Sequence, residues 1–138
     1  MKKIISFFSF IILIIFMVGC AGLGDYEIKL FGDYEIIRTS AEHIYLTKGD
    51  TDWIEFLVPV YYDGLTEEDH PEYITEIGHD GERYIVIKTS KNLYYIVDDA
   101  ESKLYDSLNK GEFDKKKKEL DISNDIELKN LDEYEKIR

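Results

Sequence analysis

Few side chains in this sequence could act as nucleophiles, metal ligands or proton carriers. There is a single cysteine, Cys20, and there are three histidines, His43, His70 and His79. One cysteine excludes an intrachain disulfide and any cysteine-based metal site. Cys20 stands at the end of a long apolar stretch, so its chemistry belongs with that stretch rather than with a folded core. His43 falls in a run that reads as a strand, where a structural or surface role is the ordinary one. His70 and His79 flank another such run, residues 72–78. Eight extended residues span roughly 25 Å, so these two imidazoles do not pair along that strand. His79-Asp80 reads as a polar hairpin tip.

The chain holds 29 Asp and Glu. With that many, a glycosidase-like pair of carboxylates can be drawn anywhere and means nothing without geometry. The sharpest concentration lies between two turn signals, where Tyr62, Asp63, Glu67, Glu68, Asp69 and His70 form an acidic loop. Hard cations want several oxygen ligands. The spacing is not that of an EF-hand, however, and a solvated acidic loop is the ordinary reading. We take this loop as a candidate contact surface for a protein or cell-wall partner. The sequence has no Gly-rich phosphate loop, no Gly-x-Ser-x-Gly elbow and no His-Glu-x-x-His. It calls for no cofactor and no metal, and the expectation is a non-catalytic protein.

The first nineteen residues differ in character from the rest. Lys2 and Lys3 precede Ile4 to Val18, which contains apolar residues and two serines only. A basic start, a short apolar stretch and small residues after it describe an export signal, to be left out of fold reasoning. Met17-Val18-Gly19-Cys20 resembles the bacterial lipobox. The resemblance implies that a diacylglycerol is attached to the Cys20 thiol and that signal peptidase II cuts between Gly19 and Cys20. One acyl chain binds a membrane marginally, whereas two or more anchor stably. The alternative is an uncleaved membrane anchor, because Ile4 to Gly24 is an uncharged run just long enough to span. Its strongly apolar part is shorter and suits a signal. In either case Lys2 and Lys3 stay inside and the domain lies outside. Residues 20–24 form a short tether, and residues 25–138 are one extracytoplasmic domain.

The part from Cys20 onward keeps 15 of the 17 basic residues and all 29 acids, so its formal charge is about −14. That excludes a generic phosphate-backbone binder, which needs a basic face, so nucleic acid is not an expected partner. It suits a self-repelling soluble domain or one with a cationic partner. Lys outnumbers Arg and Ile is abundant. This bias suits an AT-rich genome and points to a Gram-positive cell.

The elements that must position these groups read mainly as strands. Tyr26, Ile28 and Leu30 alternate with Glu27 and Lys29, the period of a half-buried strand. The phrase Gly-Asp-Tyr-Glu-Ile recurs at residues 24–28 and 32–36, giving a second strand at 34–38 after a turn at Phe31-Gly32. A third strand covers 43–47, with a turn at Lys48-Gly49-Asp50. Residues 53–61 are nearly all apolar and read as a central strand covered on both faces, which ends or bends at Pro59. Residues 72–78 and 83–89 flank Asp80-Gly81, a strong hairpin cue. A strand at 93–97 follows, and Lys103 to Tyr105 suggests a short further one. Asn109 and Glu112 have the spacing of a capping box, opening a helix over 110–120. Its four lysines, 115–118, read as a solvated face near a C-terminus, where cations suit the helix dipole. Residues 122–138 fit a short strand or a helical turn, with disorder the default for the last few. Tyr94-Tyr95, like Tyr61-Tyr62, must send its two rings to opposite sides of a strand. The expected fold is mainly β: an antiparallel meander sheet of six to eight strands with one short C-terminal helix.

Several phrases are similar to a domain-of-unknown-function family of small Bacillus-type lipoproteins. They are Gly22-Leu23-Gly24-Asp25-Tyr26-Glu27-Ile28, Thr75-Glu76-Ile77, Tyr84-Ile85-Val86, Tyr95-Ile96-Val97-Asp98, Lys103-Leu104-Tyr105, Glu112-Phe113 and Lys118-Glu119-Leu120. The resemblance spans most of the chain beyond Cys20 and brings no activity, ligand or catalytic residue with it. The helix start at Asn109-Lys110-Gly111 departs from the family's usual Ser-led start. The expected function is a lipid-anchored extracytoplasmic binding module. Two alternatives remain: an immunity or inhibitor protein that occupies a basic toxin or enzyme, and a cell-envelope enzyme with an unfamiliar site.

Overall fold

The computed structural model of the chain describes residues 25–50, 53–58 and 72–137. These form β1 (Tyr26–Lys29), β2 (Tyr34–Arg38), β3 (Ile44–Asp50), β4 (Trp53–Val58), β5 (Ile74–His79), β6 (Tyr84–Thr89), β7 (Tyr94–Asp98) and β8 (Lys103–Leu108). Helix α1 (Lys110–Glu119), β9 (Lys129–Asn130) and a 3-10 turn (Leu131–Glu133) complete them. Among the described residues the fold is mostly β with one α-helix, as the sequence implies. The strands divide between two antiparallel sheets, ordered β1-β2-β3-β4 and β8-β7-β6-β5-β9.

The first sheet follows from simple alternation. In β1, Tyr26 and Ile28 are buried while Glu27 and Lys29 are exposed. The registers set Ile28 opposite Ile36 and Ile36 opposite Leu46, which lines the apolar side chains along one face. The β1–β2 turn closes with Tyr34 N–H donating to the Phe31 carbonyl at 3.0 Å, and Gly32 takes φ +52°. Residues 48–50, expected as a turn, belong to β3 instead. Gly49 N–H donates to the Asp33 carbonyl at 3.2 Å, and Asp50 stands opposite Trp53, so pairing carries the strand past the expected turn. Gly49 sits at φ +138°, a conformation that favours glycine. β4 is not central. Among the described residues it pairs with β3 alone. A continuous apolar run reports on the faces of a strand, whereas position in a sheet is a matter of edges.

The strands with both faces covered are β6 and β7. All of β7 is buried, and in β6 only Lys88 is not. Ile85, Ile87, Tyr95 and Val97 point at the first sheet and join its core. Tyr84, Val86, Tyr94 and Ile96 point the other way and pack with Phe113, Ile122 and Ile126. The layers are therefore sheet, sheet, helix, and Tyr94-Tyr95 divides its rings between the two cores.

Helix α1 begins at the expected capping box: Asn109 Oδ1 accepts from Glu112 N–H at 3.0 Å, and Glu112 Oε2 accepts from Asn109 N–H at 2.9 Å. Phe113 is its buried residue and stacks on Tyr94 with ring centres 4.7 Å apart. The turn at Asp80-Gly81 holds as read, with Asp80 Oδ1 accepting from the backbone N–H groups of Glu82, Arg83 and Tyr84. β8 runs three residues further than expected. A bulge makes Asp106 and Ser107 together oppose Tyr95, with Ser107 at φ +50°.

Residues 126–137 are ordered and form a strap joining the sheets. Lys129 and Asn130 pair with Ile77 and Glu76 on β5. Tyr134 donates its hydroxyl to the Ile77 carbonyl at 2.9 Å. Glu27 on β1 and Ile137 exchange two backbone bonds of 2.9 and 2.8 Å. Among the described residues no helix is long and apolar enough to cross a membrane.

Candidate functional site

Gly19 and Cys20 lie outside the described residues, as do Tyr62, Asp63, Glu67, Glu68, Asp69 and His70. What is described is the stretch that follows them, at the entry to β5. Glu72, two positions before β5, is half-buried, and its Oε1 accepts from the Thr89 hydroxyl and, at 3.1 Å, from the Tyr95 hydroxyl. Tyr73 N–H donates to Ser90 Oγ at 3.2 Å, and Ser90 N–H returns a bond to the Tyr73 carbonyl at 2.9 Å. The β6–β7 turn that supplies Thr89 and Ser90 is tight, closed by Asn92 N–H on the Thr89 carbonyl at 2.9 Å with Asn92 at φ +57°. The stretch entering β5 is thus cross-linked to two strands of the second sheet.

These bonds fix the position of Glu72. Burial pushes the Tyr95 phenol up to about 12, against a hydroxyl contact from Ser107 that lowers it. Such a phenol keeps its proton near neutrality, so it serves Glu72 as a constant donor and not as an acid. Thr89 and Tyr95 are each 1% exposed, which ties the carboxylate to the core.

At the β7–β8 turn two further carboxylates are held, one by its own sheet and one by the first sheet. Asp98 is fully buried and takes a two-pronged contact from Arg83 Nε and Nη2, both at 2.8 Å. That guanidinium holds the Asp98 carboxyl below the usual carboxylate range. Asp99 Oδ1 accepts from Lys48 Nζ at 2.7 Å and from the Tyr34 hydroxyl at 2.8 Å, linking the second sheet to the first. Lys48, with Tyr34, keeps the Asp99 carboxyl low as well.

Of the described histidines, His43 is exposed beside Tyr45, ring centres 6.1 Å apart. His79 is not the tip residue its sequence position suggests. It is the last residue of β5, on the same face as Ile77, and its ring is half-buried between Phe31 at 5.8 Å and Tyr134 at 6.3 Å. Its Nδ1 is buried and has no hydrogen-bond partner. Among the described residues no three His, Cys, Asp or Glu are placed to hold a metal ion.

Sequence reasoning missed Glu72, Thr89 and Tyr95 as a unit because they are 17 and 23 positions apart and meet only through strand register. For His79 a signal existed: two positions after Ile77, it shares the inward face of the strand.

The described residues define a two-sheet β domain backed by a helix, with the stretch that enters β5 fastened to the second sheet. Residues 31–132, well over half of the chain, match the family described as Protein of unknown function (DUF3997), and the chain belongs to that family. No curated protein matches the chain, and no solved structure does.

Proposed function

We propose that the protein is a Bacillus-type lipoprotein held on the extracytoplasmic face of the cell membrane by lipid on Cys20, and that its domain is a non-catalytic binding module. In this reading the loop bearing Tyr62, Asp63, Glu67, Glu68, Asp69 and His70 meets a protein or cell-wall partner. The observation that carries the binding role is the loop's base, where Glu72 and Tyr73 are bonded to Thr89, Tyr95 and Ser90. Contact loops set on a rigid scaffold are the usual way in which folds of this kind recognise partners. The anchor reading rests on Lys2 and Lys3, the apolar run and Met17-Val18-Gly19-Cys20. Tyr26, the first strand residue, follows Cys20 by only six positions, so the lipid would keep the first sheet close to the membrane.

Two experiments test this. Replacing Cys20 with Ser should move the protein from the membrane fraction to the medium, and mass spectrometry of the parent should find diacylglycerol on the thiol. Unchanged membrane retention after the replacement refutes the anchor. Glu67→Ala, Glu68→Ala and Asp69→Ala together should abolish retention on cell-wall material or on a protein partner without lowering the melting temperature. Hydrolysis of an envelope substrate that is lost with a carboxylate substitution would refute the non-catalytic role.

A second reading, an immunity or inhibitor protein against a basic toxin or enzyme, is favoured by the charge of about −14 from Cys20 onward. It requires a cationic partner captured at low salt and released at high salt. Capture unaffected by salt, or of neutral partners only, counts against it.

A further inference from the structure

We propose that His79 is an acid-sensitive latch on the C-terminal strap: protonation of its Nδ1 displaces Tyr134 and frees residues 129–137 from both sheets. The geometry starts with the orphaned atom. Nδ1 is buried without a partner, which a neutral imidazole tolerates by leaving that nitrogen as an unused acceptor. Protonation turns the same atom into a charged donor with nothing to receive its proton, and a buried, unpaired charge is costly. The ring must then turn or leave.

Two aromatic rings stand against it, and they are not equally held. Phe31 sits in the closed β1–β2 turn and packs on Tyr34 at 5.4 Å, and Tyr34 is pinned by Asp99. Tyr134 rides on the strap and is fastened by its one hydroxyl bond to the Ile77 carbonyl. The rest of the strap is held by the two-residue β9, by the bridge from Ile137 to Glu27, by Leu131 in the core between the sheets and by Lys136 Nζ over the Tyr26 ring, with no ladder longer than two pairs. The strap is therefore the element that yields, and its departure uncovers an edge of β5 and an edge of β1.

The charged neighbours of His79 are Asp80 at the hairpin tip, which favours the cation, and Lys129 on β9, which opposes it. Tyr34 and Tyr134 can titrate, but burial raises both phenols above their ordinary value, so neither carries charge in the acid range. Burial outweighs Asp80 and holds the imidazole below its ordinary value. A base whose folded value is lowered contributes its full stability above the unfolded value, near 6.5, and loses it progressively as pH falls below that point. The latch is therefore closed at neutral pH and opens in mild acid.

The test is hydrogen exchange on the full chain at about pH 7.5 and about pH 5, either side of the ordinary histidine value. Rates are corrected for the intrinsic effect of pH. Peptides covering 129–137 should lose protection in acid while those of β6 and β7 keep theirs, and His79→Phe should retain strap protection at both values. Should that variant fail to fold, NMR titration of the wild-type imidazole decides. A midpoint below the ordinary value, shared by the Tyr134 and Ile137 signals, supports the latch. A midpoint at or above the ordinary value means that Asp80 and the aromatic faces stabilise the cation, and this overturns it. So does strap protection that ignores pH, or that falls equally in His79→Phe.

Discussion

Gly78→Ala isolates the contact between the second sheet and the start of the strap. A Cβ on Gly78 would lie 2.3 Å from the Glu127 carbonyl oxygen, 3.0 Å from its carbonyl carbon and 3.2 Å from Ile126 Cγ2. The first of these is backbone and cannot rotate away, so residues 126–127 must move as a unit. Ile126 is buried in the helix-side core, and its carbonyl accepts from Lys117 Nζ at 3.4 Å, so the movement disturbs α1 as well. Overpacking typically costs about 1–3 kcal/mol. An immovable carbonyl places this case at the upper end, at about 3 kcal/mol, which lowers the melting temperature by roughly 12 °C for a domain of this size. Gly81→Ala is the control three positions away. Gly81 takes φ +84° with no atom within 4 Å of the added Cβ, so it incurs only left-handed backbone strain, about 1 kcal/mol. Urea unfolding followed by circular dichroism gives both values, with unchanged m confirming that stability alone moved. If Gly78→Ala proves as stable as wild type, or costs less than Gly81→Ala, the close approach of Glu127 to β5 is wrong.

Asn109→Ala removes the Oδ1 acceptor of Glu112 N–H, leaving the backbone donor to Glu112 Oε2 in place, and should cost about 1 kcal/mol, read from the urea midpoint. An unchanged midpoint would mean that Phe113 packing alone holds the helix start. Asp98→Asn probes the acid limb. Arg83 holds the Asp98 carboxyl below its ordinary 3.8, so its contribution is present above that value and is lost as pH falls through and below it. The wild type should lose stability on acidification below about pH 4, and the variant, weaker at neutral pH, should lose less over the same interval. Parallel acid curves for the two proteins would refute the pairing.

The strands were legible where the physics is local. β1 and β2 alternate between core and solvent, so a period of two suffices, and Asp80-Gly81 announces its hairpin through a side-chain cap and a positive φ. The Asn109–Glu112 box is legible for the same reason, because all its bonds fall within four residues. Reading failed where pairing overrides local preference: Lys48-Gly49-Asp50 looks like a turn and is drawn into β3. The strap was open to two readings because Ile126, Leu128 and Leu131 serve different neighbours and show no single period. The candidate site was the least legible part. Glu72 is one acid among many until register sets Thr89 and Tyr95 over it, and His79 reads as polar until Phe31 and Tyr134 enclose it.

By itself, then, the sequence determined the mostly β character, the single capped helix and the acidic charge, because alternation, capping and charge depend on neighbours within a few positions. The tertiary structure alone decided that there are two sheets, that β6 and β7 are covered on both faces, and that the chain's end ties β1 to β5. Those features depend on which surfaces meet across distances in sequence that no local pattern encodes. One imidazole nitrogen left without a partner at that meeting belongs to the same class.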